Sequence, residues 1–146
     1  MQLVIPSIHL NMQVVEGGSD GTEDGHYPTH YRSTDWPGEG ETVAISAHHF
    51  THALPGAAGG PFLRLNELRA GDVIFLHTLT KFGYQSVRYQ VTGQREFYCG
   101  PSWADARYCT RALQGFTKLR QSKLILTTCI GDGHTRRFLY AFPKKP

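Results

Sequence analysis

The chain has 146 residues, of which 40% are hydrophobic and 18% charged, and its formal net charge is +3. This length and composition predict a single folded domain over residues 1–146 and exclude an intrinsically disordered chain. The mild charge gives no support for nucleic-acid binding, and no apolar run reaches the roughly 18–20 residues of a membrane span.

The first half of the chain predicts short strands separated by loops. Leu3–Val15 indicates two short strands interrupted by a proline, and Gly17–Gly40 is rich in residues typical of loops. Thr42–Ile45 is β-prone and ends in the small residues Ser46-Ala47, which His48 follows directly. This histidine is therefore expected at the end of a strand.

The second half predicts one or two helical turns at Phe62–Leu68 and a helix over Ser102–Gly115. Its β-prone runs are Val73–Leu79, Gln85–Thr92, Lys123–Cys129 and Arg137–Phe142. Many short strands with few helices between them favour an all-β fold, either a barrel or a sandwich.

A cysteine and an arginine stand at the facing ends of the last two predicted strands. Cys129 closes the run Leu124–Cys129, and Arg137 follows after a short loop. A cysteine thiolate attacks carbonyl groups, and a fixed guanidinium can stabilise the oxyanion that forms in acyl transfer. Because side chains alternate along a strand, Arg136 and Arg137 point to opposite faces, so only one of them can meet the thiol.

His48 is the candidate partner of the thiol. A histidine can protonate a leaving amine and later accept a proton from an attacking amine. The spacing of His48, His49 and His52 also permits a metal site and a metal-dependent hydrolase, although the strong zinc-binding patterns are absent from the sequence.

The chain has three cysteines. Cys99 and Cys109 can form a disulfide in an oxidising compartment and leave Cys129 free, or they can remain two unpaired thiols.

Blocks spread over nearly the whole chain resemble those of the bacterial sortases, in the same order. Leu126-Thr127-Thr128-Cys129 with a downstream arginine resembles the signature T-L-x-T-C…R. The other matching blocks are Leu3–Ile8, Gly25–Pro28, Pro37-Gly38, Thr42–His48, Pro61–Leu68 with Gly71-Asp72, and Tyr89–Thr92.

The resemblance implies a closed sortase-type β-barrel of about eight strands and a cysteine transpeptidase that needs no cofactor. Cys129 would cleave a C-terminal sorting motif after threonine through a thioester, with His48 as acid and base and Arg137 as the catalytic arginine. An amine of a cell-wall peptide or a lysine would accept the acyl group, or water would hydrolyse it. Ala47, Thr128 and Trp103 are expected to bind the peptide. The protein would act at the extracytoplasmic face of the cell membrane, with its anchor absent from this chain.

Some positions depart from the family pattern and leave alternatives open. His49 competes with His48, and Arg136 with Arg137, which is preferred because Phe138–Tyr140 resembles the apolar run after the family's arginine. Asp35–Gly38 is read as a loop and not as the lid of pilin-polymerising sortases. A barrel that binds peptides without turnover is a further alternative. The only sequence feature that suggests modulation by calcium is an acidic loop that contains Asp20, Glu23 and Asp24.

Overall fold

The computed structural model describes residues 1–17, 26–49, 59–81, 83–101, 121–130 and 134–144. Several predicted features lie outside these residues: the helix Ser102–Gly115, Trp103, Cys109, His52, and the acidic loop residues Asp20, Glu23 and Asp24.

The described part of the chain is almost entirely β-structure. Its strands are β1 (Gln2–Ile5), β2 (Leu10–Gln13), β3 (Val15–Glu16), β4 (Thr29–His30), β5 (Thr42–Ser46), β6 (Val73–Thr80), β7 (Gly83–Tyr98), β8 (Lys123–Cys129) and β9 (Thr135–Pro143). Two 3₁₀ segments complete it, Pro6–Ile8 and Leu65–Glu67.

All nine strands form one sheet in the order β2-β1-β6-β7-β9-β8-β5-β4-β3. Because β2 and β3 follow one another in the chain but lie at opposite ends of this order, the sheet curls into a nearly closed barrel. Closure hides most strand edges, which would otherwise invite pairing with other chains. The predicted all-β barrel is confirmed.

The barrel interior holds the main hydrophobic core. Its largest fully buried side chains include Phe62, Tyr89, Leu124, Leu126 and Leu139. A second, smaller cluster contains Tyr31, Ala44, Ile125 and Phe138, with Phe97 and Tyr140 packed against it. Since its members alternate with core residues along β5, β8 and β9, this cluster lies on the outer face of those strands.

Two strands differ in extent from the sequence prediction. β7 continues to Tyr98 because its first half pairs with β6 and its second half with β9, past a register shift between Val91 and Gly93. β4 lies inside the predicted loop Gly17–Gly40; its two residues pair with both β3 and β5. Long-range pairing, and not local propensity, makes these residues extended.

The predicted helical turns at Phe62–Leu68 form a 3₁₀ segment, Leu65–Glu67. Phe62, Leu65 and Leu68 are each no more than 1% exposed, so this segment is held by the core. Nη1 of Arg64 also donates to the carbonyl oxygen of Ile8 at 3.1 Å. The chain leaving β5 is therefore fixed to the barrel before β6 begins.

Candidate active site

Parallel pairing of β5 with β8 brings His48 and Cys129 to the same end of the barrel. In that pair Ser46 lies opposite Thr127. The backbone N–H of Ala47 continues the ladder by donating to the carbonyl of Thr127 at 3.1 Å. His48 and Cys129 each lie two residues beyond the Ser46–Thr127 pair, on strands that neighbour one another about 4.8 Å apart.

Alternation along β8 assigns a face to Cys129. Leu124 and Leu126 belong to the main core and Ile125 to the outer cluster, so alternation assigns Cys129 to the outer face. Ala47 is in the main core, and His48 follows it just past the end of β5. Both His48 and Cys129 are half-buried, and Cys129 is not part of a disulfide. An accessible thiol beside an imidazole can form a covalent acyl intermediate.

Ala47 and Thr128 lie behind this pair. Each is 0% exposed. The hydroxyl of Thr128 donates to the carbonyl oxygen of Ala47 at 2.7 Å. This bond joins the residue before His48 to the residue before Cys129. Because neither side chain reaches the surface, their geometry fits a role in holding the two strand ends together better than the contact with a peptide expected from the sequence.

Antiparallel pairing of β8 with β9 separates the two arginines. Cys129 lies directly opposite Arg136, and Thr128 opposite Arg137. Residues directly opposite in a sheet have their side chains on one face, with Cα atoms about 4.5–5.5 Å apart. Arg136 thus shares the face of Cys129, together with Phe138 of the outer cluster.

Arg137 lies on the inner face, at the rim of the barrel. Its Nε donates to Oε1 of Glu96 at 3.0 Å, and a second guanidinium nitrogen contacts the same oxygen. Glu96 is also its partner in the β7–β9 register. The side chain of Arg137 is only 13% exposed. The sequence preferred Arg137 over Arg136 as the catalytic arginine; the register puts Arg136 opposite the thiol instead.

His49, the alternative to His48, is half-buried. Removal from water lowers the pKa of His49, a hydrogen bond with the backbone of Phe62 opposes that shift, and the charge of Arg137 adds to it. Both histidines lie between the end of β5 and the Gly60–Phe62 segment: the N–H of Phe62 donates to the carbonyl oxygen of His48, and the N–H of Gly60 donates to that of His49.

Ser46 and Thr127 carry hydroxyl groups and lie beside one another on the outer face. Ser46 is two residues before His48, and Thr127 is two residues before Cys129. They pair in the β5–β8 register and are 0% and 4% exposed. Oγ1 of Thr127 is buried without a hydrogen-bond partner. These residues form the wall of the barrel next to the thiol.

Cys99 forms a disulfide, and Cys129 does not. The backbone N–H of Cys99 donates to the carbonyl oxygen of His134 at 2.9 Å. His134 immediately precedes β9, so the disulfide is tied to the strand that carries both arginines. The predicted partner, Cys109, lies outside the described residues.

Neither a metal site nor a membrane-spanning helix is found in the part of the chain that the structure describes. Within it, no cluster of three or more histidine, cysteine or acidic side chains could hold a metal ion. No helix there has the length and apolar character needed to cross a membrane. His48 and His49 are among the described residues, whereas the third histidine of the possible metal set, His52, lies outside them.

The sequence left Arg136 open as the alternative to Arg137 and gave no indication of Glu96. Alternation along β9 was visible in the sequence, but which face meets the thiol depends on the β8–β9 register. The pairing of Glu96 with Arg137 required β7 to extend beyond its predicted end at Thr92. No local signal in the sequence indicated that extension.

The sequence matches the family model described as the Sortase domain over residues 3–141. No curated protein matches the chain.

Solved structures similar to this chain are sortases of several kinds. Sortase C1 from Streptococcus agalactiae has a TM-score of 0.72 and 19% identity, covering 99% of this chain and 67% of that one. Sortase C-1 from Actinomyces oris has a TM-score of 0.70 and 21% identity, with 99% and 73% covered. Sortase A from Corynebacterium diphtheriae has a TM-score of 0.70 and 18% identity, with 99% and 60% covered. The chain thus spans 60% to 73% of the length of these three proteins.

Proposed function

Because this chain belongs to the sortase family, whose domain model spans residues 3–141, we propose that it is a cysteine transpeptidase with Cys129 as its nucleophile. The observation that supports the proposal is the parallel β5–β8 register, because His48 follows the end of β5 by two residues and Cys129 is the last residue of β8, so both lie toward the same end of the barrel. A nucleophile within reach of an acid–base group is the arrangement that covalent acyl transfer requires.

The proposed reaction begins at the carbonyl carbon of a threonine in a C-terminal sorting motif. The Cys129 thiol gives its proton to His48 as its sulfur bonds to this carbon, and the carbonyl oxygen becomes an oxyanion. When the tetrahedral species collapses, the peptide C–N bond breaks, and His48 gives a proton to the departing amine. The threonine is left as a thioester on Cys129.

An amine then resolves the thioester. The amine nitrogen bonds to the thioester carbon, its proton passes to His48, and the carbon–sulfur bond breaks to release Cys129. Water in place of the amine gives hydrolysis. Cys129, His48 and an arginine supply the nucleophile, the acid–base group and the cation, so the proposed chemistry requires no cofactor.

Arg136 is the arginine that we assign to this reaction. Its position opposite Cys129 supports donation from its guanidinium to the oxyanion or to the peptide backbone beside it. Arg137 is held by Glu96 on the inner face and is assigned a structural role. This assignment reverses the preference that sequence resemblance alone suggested.

The partners follow from the reaction. The acyl donor is the sorting-signal peptide of a surface protein, and the acceptor is an amine such as that of a cell-wall peptide or a lysine. Both occur outside the cytoplasm, so the proposed site of action is the extracytoplasmic face of the membrane. A disulfide at Cys99 agrees with an oxidising compartment.

The test is acylation of the protein by a library of threonine-containing peptides in the presence of an amine acceptor. Intact-mass measurement of wild-type protein is expected to show a thioester adduct that disappears in Cys129→Ala. His48→Ala is expected to lower turnover by about 10²–10⁴-fold. Ser86→Ala, a substitution on exposed β7, is the control and should behave as wild type.

Three outcomes would contradict the proposal. The first is a folded wild-type protein that no peptide acylates. If that protein still binds the peptides, the result would favour a barrel that binds peptides without turnover. An adduct that persists in Cys129→Ala would exclude this thiol. Turnover that is abolished by a metal chelator but survives alkylation of the cysteine would favour a metal-dependent hydrolase.

A further inference from the structure

Gly60 packs directly against the backbone of His48. A methyl group added at Gly60 would lie 2.1 Å from the carbonyl oxygen of His48 and 2.8 Å from its Cβ. Cβ atoms essentially never make non-bonded contacts below 3.0 Å. The backbone of Gly60 is not in the left-handed region that favours glycine, so space alone excludes a side chain here.

Hydrogen bonds hold the two segments together at this contact. The N–H of Phe62 donates to the carbonyl of His48 at 3.0 Å, and the N–H of Gly60 donates to the carbonyl of His49 at 2.8 Å. Gly60 itself is buried. The backbone carbonyl groups of His48 and His49 therefore both have hydrogen-bond donors in the Gly60–Phe62 segment.

This segment is anchored to the barrel, and so is the chain on the other side of His48. Phe62 is 0% exposed within the main core. On the other side, the Thr128 hydroxyl holds the carbonyl of Ala47. His48 therefore sits between one attachment to the core and one attachment to the strand that carries Cys129.

We propose that Gly60 is a positioning residue for His48: its missing side chain lets the Gly60–Phe62 segment close on the histidine backbone and fix the imidazole relative to Cys129. This inference rests on the proposed function for its kinetic effect, but its geometry is independent of the substrate. A displacement of about 1 Å in a catalytic group can reduce turnover about 10²-fold. The steric overlap at Gly60 is large enough to force such a displacement.

The first experiment compares Gly60→Ala with Gly93→Ala in peptide transfer. A methyl group at Gly93 meets nothing within 4 Å, so this variant controls for the glycine-to-alanine change itself. Gly60→Ala is expected to lower kcat about 10²-fold. KM should change little, because Gly60 is buried and the added methyl group does not reach the surface that a peptide would contact. Gly93→Ala should retain the wild-type kcat.

The second experiment asks whether the effect passes through His48. In a His48→Ala background, Gly60→Ala is expected to cause no further loss of kcat, because the imidazole it positions is gone. An equal loss in both backgrounds would show a general structural effect and overturn the proposal. An unchanged kcat in the single variant would overturn it as well.

The third experiment needs no substrate. Alkylation of Cys129 by iodoacetamide, followed against pH, reports the thiolate fraction, which a neighbouring imidazole influences. The profile of Gly60→Ala is expected to move toward that of His48→Ala, and that of Gly93→Ala to match wild type. If Gly60→Ala matches wild type, the proposal fails. If peptide transfer fails while these profiles differ as expected, only the proposed function fails.

A second variant guards against loss of folding in Gly60→Ala. Replacement of Phe62 by its α-hydroxy analogue removes the N–H that binds the carbonyl of His48 and adds no atom. The same movement of the alkylation profile toward that of His48→Ala is expected. A profile identical to wild type would overturn the proposal.

Discussion

Arg136 and Arg137 are adjacent in the sequence and have different surroundings in the fold. Arg136 lies opposite Cys129 on the outer face of β9. Arg137 lies on the inner face, where it binds Glu96, and its charge adds to the lowering of the pKa of His49. One step along a strand therefore separates a side chain on the face of Cys129 from a side chain on the opposite face.

The two arginines should separate experimentally. Arg136→Ala is expected to lower kcat/KM by about 10²–10³-fold, the usual effect of losing an oxyanion donor, with little change in stability. Arg137→Ala should lower the free energy of unfolding by about 1 kcal/mol through loss of a partly exposed ion pair, with a smaller kinetic effect. Peptide-transfer kinetics and urea unfolding measure both, and the reverse pattern would restore Arg137 as the catalytic arginine.

His49 predicts a pH dependence of stability. Its pKa is lowered in the folded protein, mainly by burial. The unfolded chain therefore binds a proton more readily, with an ordinary pKa near 6.5, and stability falls as the pH drops below that value. Above it, both states are neutral and the penalty is absent.

His49→Gln should remove this contribution. Urea unfolding between pH 7.5 and pH 5, roughly one unit on either side of the ordinary histidine value, is expected to show the variant gaining stability relative to wild type as the pH falls. His26→Gln is a control at an exposed position. A difference between His49→Gln and wild type that stays constant with pH would contradict the prediction.

At the scale of elements, the β5–β8 pair defines the candidate site. The pair is parallel, so the ends of both strands meet at one end of the barrel. The Thr128 hydroxyl adds a buried hydrogen bond to Ala47 across that end. The neighbouring hydroxyl, on Thr127, is buried without a hydrogen-bond partner.

These two threonines provide a matched pair of variants. Thr128→Val should lower the free energy of unfolding by about 1–3 kcal/mol, because the buried carbonyl of Ala47 loses its donor. Thr127→Val removes a hydroxyl that has no bond to lose and should leave stability equal or higher. Urea unfolding measures both, and equal costs in the two variants would show that the Thr128–Ala47 bond does not tie the strands.

At the scale of the whole molecule, the sheet order joins distant parts of the chain. β9 pairs with β7 on one side and β8 on the other, and the Cys99 backbone binds that of His134 just before β9 begins. The Cys99 disulfide therefore constrains the end of β7 beside the strand that carries Arg136.

Loss of this disulfide should destabilise the barrel. Cys99→Ser is expected to lower the free energy of unfolding by about 2–4 kcal/mol, measured in a Cys129→Ala background so that the free thiol takes no part. Dithiothreitol should lower the unfolding midpoint of the parent but not of the Cys99→Ser variant. A midpoint that the reductant leaves unchanged in the parent would contradict the prediction.

Much of the fold followed from local patterns. The strand at Lys123–Cys129 has the predicted bounds, and Lys81 lies in a turn between β6 and β7 as alternation indicated. β4 and the second half of β7 did not follow, because their residues are extended only through pairing with distant strands. Phe62–Leu68 was recognised as a turn because its apolar spacing is local.

By itself, the sequence determined which residues the proposed chemistry can use and the ends of the strands at which they stand. A thiol at the end of a β-prone run and a histidine after another are local features, and alternation within each strand is a property of the backbone. Only the tertiary structure decided which side chains meet. Register arises from pairing between distant segments, and a slip of one residue exchanges the two faces of a strand. For that reason the fold, and not the sequence, put Arg136 opposite Cys129 and left Ala47 and Thr128 behind the site.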